Sequence, residues 1–303
     1  MAKVFIDGEA GTTGLQIRER LETRADIELV RVHPARRKDP AARRAAFAEA
    51  DVAILCLPDA PAREAVELAE GLPVRIIDAS TAHRVAPGWV YGFPELAPGL
   101  SRRIAGADRV SNPGCYSTGA IALITPLVAA GLVAADEALS INAVSGYTGG
   151  GKELIAEFED GRAPDFFVYA LGQGHKHLPE IMTHAGLTAR PVFAPSVGRF
   201  AQGMVVQVPL HLGGRRISDF HDALAAHYDG SRFVRVVAAE SYGGRVVPTA
   251  LNDTNRLDLS VHGSDEAAAA VLVAVLDNLG KGASGAAVQN LNLMIGADEG
   301  AGL

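Results

Sequence analysis

Residues 4–14 read Val4-Phe5-Ile6-Asp7-Gly8-Glu9-Ala10-Gly11-Thr12-Thr13-Gly14, a short aliphatic run followed by a glycine at every third position. Glycines between a strand and a helix let the backbone approach a pyrophosphate, and the N-terminus of the helix supplies N–H donors. A glycine string alone is a weak signal, so a tight turn without a ligand is the alternative. The sequence predicts a dinucleotide-binding turn formed by Gly8, Gly11, Thr12, Thr13 and Gly14.

The first half of the chain alternates short strands with helices. Strands are predicted at 3–7, 27–32, 51–57 and 74–78, which are β-branched or aliphatic runs. Helix-like segments lie between them at 13–21, 40–50 and 60–70, each long enough for a crossover between parallel strands. This pattern predicts an α/β fold with a Rossmann-type doubly wound parallel sheet.

The second half has more strands and fewer helices. Strands are predicted at 138–145, 166–171, 191–197, 203–212, 232–237 and 256–262, and helices at 264–280 and 284–295. This predicts a mixed α+β catalytic and dimerisation domain. We expect the dinucleotide-binding domain to comprise 1–115, completed by 284–303 packing back on it, and the second domain to comprise 116–283.

The loop after the second strand indicates which dinucleotide is bound. NAD-binding folds usually carry a carboxylate about 20 residues after the glycines, where it holds the ribose hydroxyls. This chain has Val32-His33-Pro34-Ala35-Arg36-Arg37-Lys38 there instead. Guanidinium groups suit a 2′-phosphate, so the loop predicts NADP as the cofactor, bound by Arg36 and Arg37. A solvated basic loop is the alternative.

A second turn places a cysteine ahead of an apolar run, in Ser111-Asn112-Pro113-Gly114-Cys115-Tyr116-Ser117-Thr118-Gly119-Ala120-Ile121. If a helix begins there, Cys115 lies at its positive end, where unpaired N–H groups and the dipole favour a thiolate. Cys115 is therefore a candidate nucleophile, with a small buried hydrophobic residue as the alternative. Cys56 lies in a continuous apolar run and is predicted to belong to the core.

The segment Gly174-His175-Lys176-His177-Leu178-Pro179-Glu180-Ile181 offers groups that move protons near neutral pH. If it is extended, His175 and His177 share one face and both point at Cys115. Glu180 would then orient an imidazole or mark the start of a helix. Surface histidines near a turn are the alternative, and a metal site is poorly supported because suitable cysteine ligands are missing.

Composition narrows the classes of function. The 303 residues are 48% hydrophobic and 21% charged, as in ordinary globular proteins, and the net charge of −7 gives no basic footprint for nucleic acid. We expect no membrane span, since no run of 18 apolar residues occurs. Two cysteines and an N-terminus without a signal-peptide pattern predict a cytoplasmic protein with a small-molecule partner.

The chain resembles the short form of N-acetyl-γ-glutamyl-phosphate reductase, a relative of aspartate-semialdehyde dehydrogenase. Besides the three segments quoted above, the segments that carry the resemblance are Asp78-Ala79-Ser80-Thr81-Ala82-His83-Arg84, Tyr91-Gly92-Phe93-Pro94-Glu95-Leu96, Ser145-Gly146-Tyr147-Thr148-Gly149-Gly150-Gly151-Lys152 and Asn290-Leu291-Asn292-Leu293-Met294, in family order. The resemblance implies an enzyme that reduces N-acetyl-L-glutamyl 5-phosphate with NADPH to the 5-semialdehyde and phosphate, through a cysteine thioester, in arginine biosynthesis.

The resemblance also suggests roles for single residues. Cys115, His175, His177 and Glu180 are the catalytic candidates, Ser80 is a further cofactor-binding candidate, and Arg84, Tyr147 and Arg199 are candidates for substrate binding. Family members tend to carry an arginine two residues beyond Arg199, where this chain has Ala201. A homodimer or homotetramer is the family expectation. Another acylating dehydrogenase, of the aspartate-semialdehyde type, and a non-catalytic NADP sensor are the alternative functions.

Overall fold

The short buried strands of the N-terminal half form one parallel sheet. The computed structural model describes residues 1–303, and this first unit comprises Met1–Pro113 and Ala283–Leu303. Its strands are ordered β2-β1-β3-β4-β6-β5, and every pairing is parallel, which confirms the predicted doubly wound sheet. Its elements in chain order are β1 (Ala2–Asp7), α1 (Thr12–Glu22), β2 (Ile27–Val30), α2 (Pro40–Glu49), β3 (Val52–Leu55), α3 (Asp59–Leu68), β4 (Arg75–Asp78), β5 (Val90–Tyr91), α4 (Leu100–Ala105) and β6 (Arg109–Ser111).

Burial on both faces explains why β3 is an uninterrupted apolar run. All four residues of β3 are buried, as expected for a strand covered on both sides. Phe47 of α2 packs edge-on against Phe5 of β1, with ring centroids 5.2 Å apart. At the end of β1, buried Asp7 accepts a 2.6 Å hydrogen bond from Arg43 of α2. Burial raises the pKa of Asp7, and Arg43 opposes that shift.

The second unit, Gly114–Gly282, contains a mixed seven-stranded sheet with helices packed on it. Its strand order is β11-β12-β13-β10-β7-β9-β8, in which β7 and β9 pair in parallel and β10 pairs antiparallel with both β7 and β13. This confirms the predicted mixed α+β unit. Its elements are α5 (Cys115–Ala129), β7 (Ser140–Gly146), α6 (Gly151–Glu159), β8 (Phe166–Val168), α7 (Leu178–Ala185), β9 (Val192–Gly198), β10 (Met204–His211), α8 (Ile217–His227), β11 (Val234–Val236), β12 (Leu257–Ser264) and β13 (Ala269–Leu276).

Helix α5 lies closely against the centre of this sheet. A Cβ added at Gly119 would lie 2.7 Å from a methyl group of Val206 in β10, so only glycine allows this approach. The helix is buried on nearly every side, and α7 and α8 pack beside it. Cys115 therefore begins a helix whose position is fixed by the core.

The helix predicted at 264–280 is wrong, because this segment contains strand β13. Residues 269–276 read Ala-Ala-Val-Leu-Val-Ala-Val-Leu and pair along their whole length with both β10 and β12. Strand β13 is buried along most of its length on both faces, so it carries no polar stripe. Its apolar, alanine-rich sequence therefore resembles that of a buried helix.

The C-terminal segment, Ala283–Leu303, belongs to the first unit. Helix α9 (Gly285–Ile295) packs on α1 and α4, and Asn290 donates hydrogen bonds to the carbonyl of Gly92 and the side chain of Asn112. None of the helices combines the length and the hydrophobicity needed to span a membrane.

Candidate active site

Cys115 is the first residue of α5, which meets the condition under which the sequence made it a candidate nucleophile. The preceding Gly114 is the N-cap residue, so the thiol lies beside the backbone N–H groups of the first turn, where a thiolate is stabilised. Neither cysteine forms a disulfide. Burial, together with the charges of Asp78 and Asp7, raises the pKa of Cys56 to about 12. Cys56 therefore stays a protonated thiol at neutral pH.

Glu180 holds the turn that carries Cys115. Its side chain is buried, and its Oε1 accepts a hydrogen bond of 2.9 Å from the N–H of Gly114. Its Oε2 accepts a 2.7 Å hydrogen bond from the hydroxyl of Ser117, in the first turn of α5. A carboxylate at the N-terminus of a helix is stabilised by the helix dipole as well as by these donors. Glu180 thus links the first turn of α7, where it resides, to the first turn of α5.

The two histidines lie in a turn, so the extended conformation considered for them is wrong. Leu178 N–H donates to the carbonyl of His175, and α7 begins at Leu178 with Pro179 in its first turn. His177 N–H donates to Nδ1 of His175 at 3.1 Å, so the proton of neutral His175 resides on Nε2. That Nε2 lies 3.3 Å from Oη of Tyr169. Both imidazole rings nevertheless lie against Tyr116, at 5.9 Å between centroids.

A cavity of about 270 Å³ opens beside Cys115. The residues around it are Cys115, Tyr116, Ser145, Gly146, Gly149, Gly150, Leu154, Phe167, Tyr169 and Val197. Tyr169 was not singled out in the sequence, because an aromatic residue just after a strand resembles a core residue. Burial raises the pKa of Tyr169 to about 12, to which the nearby Cys115 also contributes. Its phenol therefore remains a proton donor at neutral pH.

Arg199 and Tyr147 lie outside the residues that line this cavity. Arg199 pairs with Asp165, donates to the carbonyl of Ala163 at 2.8 Å and lies over the ring of Phe158. Tyr147 stacks on the same Phe158 ring, with 4.8 Å between the ring centroids. Both residues support the wall of the cavity from behind, and their contacts with substrate remain predictions.

Gly282 approaches Cys115 more closely than any other residue type would allow. A Cβ at position 282 would lie 2.9 Å from Cβ of Cys115 and 3.1 Å from the carbonyl oxygen of Asp277. The N–H of Gly282 donates to that same carbonyl, and buried Asp277 accepts bonds from the N–H groups of Asp253 and Leu279. The segment is thus held firmly and cannot easily move away from the thiol.

We expect Gly282→Ala to displace Cys115 and lower kcat about tenfold or more, since small misplacements of a nucleophile are costly. Dinucleotide binding measured by fluorescence titration should be unchanged. Gly106→Ala is the matched control, because a Cβ there meets nothing closer than 3.7 Å. Equal kcat values for both variants would show that Gly282 does not position Cys115.

In the first unit, the glycine turn between β1 and α1 has the predicted form. Gly8 has a φ of 94° and a Cβ there would lie 2.9 Å from the carbonyl carbon of Cys56. A Cβ on Gly14 would lie 2.5 Å from the carbonyl oxygen of Gly8. Gly11 caps α1, and Thr12 and Thr13 follow in its first turn. Gly8 and Gly14 thus allow the turn to pack closely on β3 and on itself, and cofactor binding by the turn stays a prediction.

The basic loop separates into two environments. Arg37 and Lys38 line a cavity of about 170 Å³ together with Gly8, Glu9 and Ala10 of the glycine turn. Arg36 instead pairs with Asp39 at 2.7 Å and borders a neighbouring groove. Lys38 was not chosen from the sequence, although it belongs to the same run of cations. Of the three cations, Arg37 and Lys38 are the ones beside the turn.

Ser80 and Arg84 belong to a loop organised by the carboxylate of Asp78. Ser80 donates to Asp78 through its hydroxyl at 2.7 Å, and Nδ1 of His83 lies 2.6 Å from the same oxygen. Buried Arg84 donates to the carbonyls of Asn112 and Ala79. The loop thereby stabilises the segment that leads into Gly114. Cofactor binding by Ser80 and substrate binding by Arg84 stay predictions.

Comparison with known proteins agrees with both units. Residues 3–102 match the NAD binding domain of semialdehyde dehydrogenase, and residues 115–278 match its dimerisation domain. The chain is 54% identical to the N-acetyl-gamma-glutamyl-phosphate reductases of Brucella ovis and Brucella canis, over 97% of this chain and 99% of each relative.

Solved structures share the fold at low sequence identity. Aspartate semialdehyde dehydrogenase II of Vibrio cholerae, complexed with ASA, superposes with a TM-score of 0.73 at 15% identity, over 97% of this chain and 98% of that one. The enzyme of Francisella tularensis gives 0.73 at 13% identity, over 97% and 100%. The chain therefore belongs to the semialdehyde dehydrogenase family and, within it, to the N-acetyl-gamma-glutamyl-phosphate reductases.

Proposed function

We propose that this protein reduces N-acetyl-L-glutamyl 5-phosphate to N-acetyl-L-glutamate 5-semialdehyde and phosphate, with NADPH as the reductant, in arginine biosynthesis. The observation that carries the proposal is the position of Cys115, at the start of a buried helix and on the wall of a cavity shared with Tyr169. The choice of substrate rests on the relatives that match 97% of the chain, whose name is N-acetyl-gamma-glutamyl-phosphate reductase.

In the first step, the sulfur of Cys115 attacks the carbonyl carbon of the acyl phosphate. A C–S bond forms, the bond from carbon to the phosphate oxygen breaks, and phosphate leaves with the electron pair and the proton lost by the thiol. The oxyanion that develops needs N–H donors. Because the N–H of Gly114 already donates to Glu180, the N–H groups within the first turn of α5 are the donors that we assign to it.

Bound NADPH would supply the hydride that reduces the thioester carbon. The remaining work of the chain is to release the aldehyde: the C–S bond breaks, the carbonyl forms again, and Cys115 takes back one proton. We assign that proton to the pair formed by Tyr169 and His175, because Tyr169 lines the cavity and its Oη lies 3.3 Å from Nε2 of His175. His177, buried at the start of α7, holds His175 in its orientation through the bond from its N–H.

We assign the cavity beside the glycine turn to the 2′-phosphate end of NADP. The cavity contains two cations, Arg37 and Lys38, and these suit a 2′-phosphate. We expect the double variant R37A/K38A to raise KM for NADPH about 10- to 100-fold, because two charge-assisted contacts are lost. KM for NADH should change little. Arg36→Ala is the control, since Arg36 pairs with Asp39, and an equal effect of that variant would contradict the assignment.

The deciding assay runs the reaction in reverse. The purified protein is given NADP⁺, phosphate or arsenate, and a panel of semialdehydes, and NADPH formation is followed by absorbance. We expect phosphate-dependent oxidation of N-acetylglutamate semialdehyde. Oxidation of aspartate semialdehyde alone would favour the related dehydrogenase, and dinucleotide binding without oxidation of any semialdehyde would favour a sensor.

We also propose that the protein acts in the cytoplasm as a homodimer or homotetramer, assembled through its second unit. The match of residues 115–278 to a dimerisation domain supports this assembly. Light scattering coupled to size-exclusion chromatography measures the mass directly. A mass equal to that of the 31.6 kDa chain would contradict it.

A further inference from the structure

Apart from Cys115, the cavity beside it is lined without a charged side chain. Its walls are apolar at Leu154, Phe167 and Val197, and three glycines complete them. Its polar groups, the hydroxyls of Ser145, Tyr116 and Tyr169, are neutral. The arginine nearest in sequence to this wall, Arg199, directs its donors to Asp165 and Ala163.

The charges of the proposed substrate decide which of its groups suits this cavity. The substrate carries two anionic groups, the phosphate and the α-carboxylate, and one neutral group, the acetamide. Burying an anion among uncharged walls is costly unless a cation or several donors compensate for it. The acetamide carries no charge and ends in a methyl group, so its burial against leucine, phenylalanine and valine is favourable.

We propose that this cavity binds the N-acyl group of the substrate and that Leu154 sets the length of the acyl chain that is accepted. The proposal rests on the proposed function. Four bonds separate the carbon that Cys115 attacks from the acetamide nitrogen, so both can occupy one cavity. The geometry predicts that the enzyme distinguishes acyl chains by size as well as recognising the reacting group.

Leu154 is fixed in place from two sides. A Cβ at Gly150 would lie 2.8 Å from Cβ of Leu154, so the absence of a side chain at 150 gives the leucine its space. On its other side, Leu154 packs on a cluster of Phe158, Ala163 and Val197. Such a side chain cannot retreat to admit a longer acyl chain, because neighbouring groups already fill the space behind it.

The size of the expected effect follows from the energetics of apolar pockets. One methylene more or less in such a pocket changes specificity about 10- to 200-fold. Leu154→Ala removes three side-chain carbons and opens room for a longer chain. Leu154→Phe adds bulk and should exclude all but the smallest acyl group.

The test measures kcat/KM for the reverse reaction with the N-formyl, N-acetyl, N-propionyl and N-butyryl derivatives of glutamate semialdehyde. We expect the butyryl-to-acetyl ratio to rise about tenfold or more in L154A, and the acetyl-to-formyl ratio to fall by a similar factor in L154F. Leu251→Ala is the matched control. It shortens a leucine of the same unit that lies in a different cluster and is more deeply buried than half-buried Leu154, and it should leave both ratios unchanged.

Each outcome separates this proposal from the proposed function. Variants of Leu154 that change all four rates by one common factor would overturn the acyl site, because the ratios would then be insensitive to chain length. A wild-type protein that oxidises none of the four compounds would overturn the proposed function instead. If thermal unfolding shows that L154A is not folded, L154V, which removes one carbon, gives the same test with a smaller expected shift in the ratios.

Discussion

Cys115→Ala abolishes reductase turnover while leaving NADPH binding nearly intact: this is the expected result if Cys115 is the nucleophile. Losing a nucleophile that forms a covalent intermediate costs about 10⁴-fold or more in kcat. The dinucleotide site, in contrast, is built from the glycine turn and the loop of Arg37 and Lys38. Turnover is measured by NADPH absorbance, and binding by fluorescence titration.

A trapping experiment follows the same sulfur directly. Incubating the wild-type protein with the acyl phosphate in the absence of NADPH should leave an N-acetylglutamyl adduct, which intact mass spectrometry detects. Peptide mapping should place it on Cys115. Cys56→Ala is the matched control, since the raised pKa of Cys56, about 12, keeps that thiol protonated and unreactive at assay pH. Substantial residual turnover in C115A, or an adduct on Cys56, would refute the assignment.

The parts of the fold predicted from sequence are those that depend on local patterns. The glycine turn after β1 and the start of α5 at Cys115 follow from neighbouring residues alone. Strand β13 does not, because its identity depends on pairing with β10 and β12, which are distant in sequence. An apolar, alanine-rich segment is compatible with both a buried helix and a buried strand, and only its pairing partners distinguish the two.

In the candidate site, too, local patterns could be predicted from the sequence and long-range contacts could not. The residue types in 174–181 indicated proton transfer, but the turn at His175 arises because α7 begins so soon after it. Tyr169 joins the cavity through the position of the turn after β8, which no motif reports. Arg199, an attractive partner for an anion, is engaged by Asp165 and Ala163, whose proximity depends on the path between α6 and β8. Sequence identified reactive groups, and tertiary contacts decided which of them face the cavity.

Glu180 is expected to be the second most sensitive residue, because its carboxylate anchors the turn that carries Cys115. Glu180→Ala leaves the N–H of Gly114 and the hydroxyl of Ser117 without their acceptor. Each buried donor left unsatisfied costs about 1–3 kcal/mol. We therefore expect a clear drop in the unfolding temperature and a fall in kcat of about 100-fold, since a displaced nucleophile reacts poorly.

The variant Glu180→Gln distinguishes two effects of this side chain, the anchoring of the turn by hydrogen bonds and the influence of its negative charge on Cys115. The amide keeps the shape of the side chain and one acceptor, so the unfolding temperature should lie between those of the wild type and E180A. Removing a negative charge beside Cys115 favours the thiolate, so alkylation by iodoacetamide should reach half its maximal rate at lower pH. Glu266→Gln, an exposed carboxylate of the same unit, is the control and should shift neither quantity.

These two readouts test different statements about the buried carboxylate. A wild-type unfolding temperature and kcat in E180A would contradict the anchoring role, whereas an unmoved alkylation profile in E180Q would contradict only the electrostatic one. If both expectations hold, the helix N-terminus stabilises two anions at once, the carboxylate of Glu180 and the thiolate of Cys115. The carboxylate of Glu180 then lowers the fraction of Cys115 that is thiolate at neutral pH, but it also fixes the position of the sulfur. For a nucleophile that must meet one carbonyl carbon, the fixed position has the larger effect on rate.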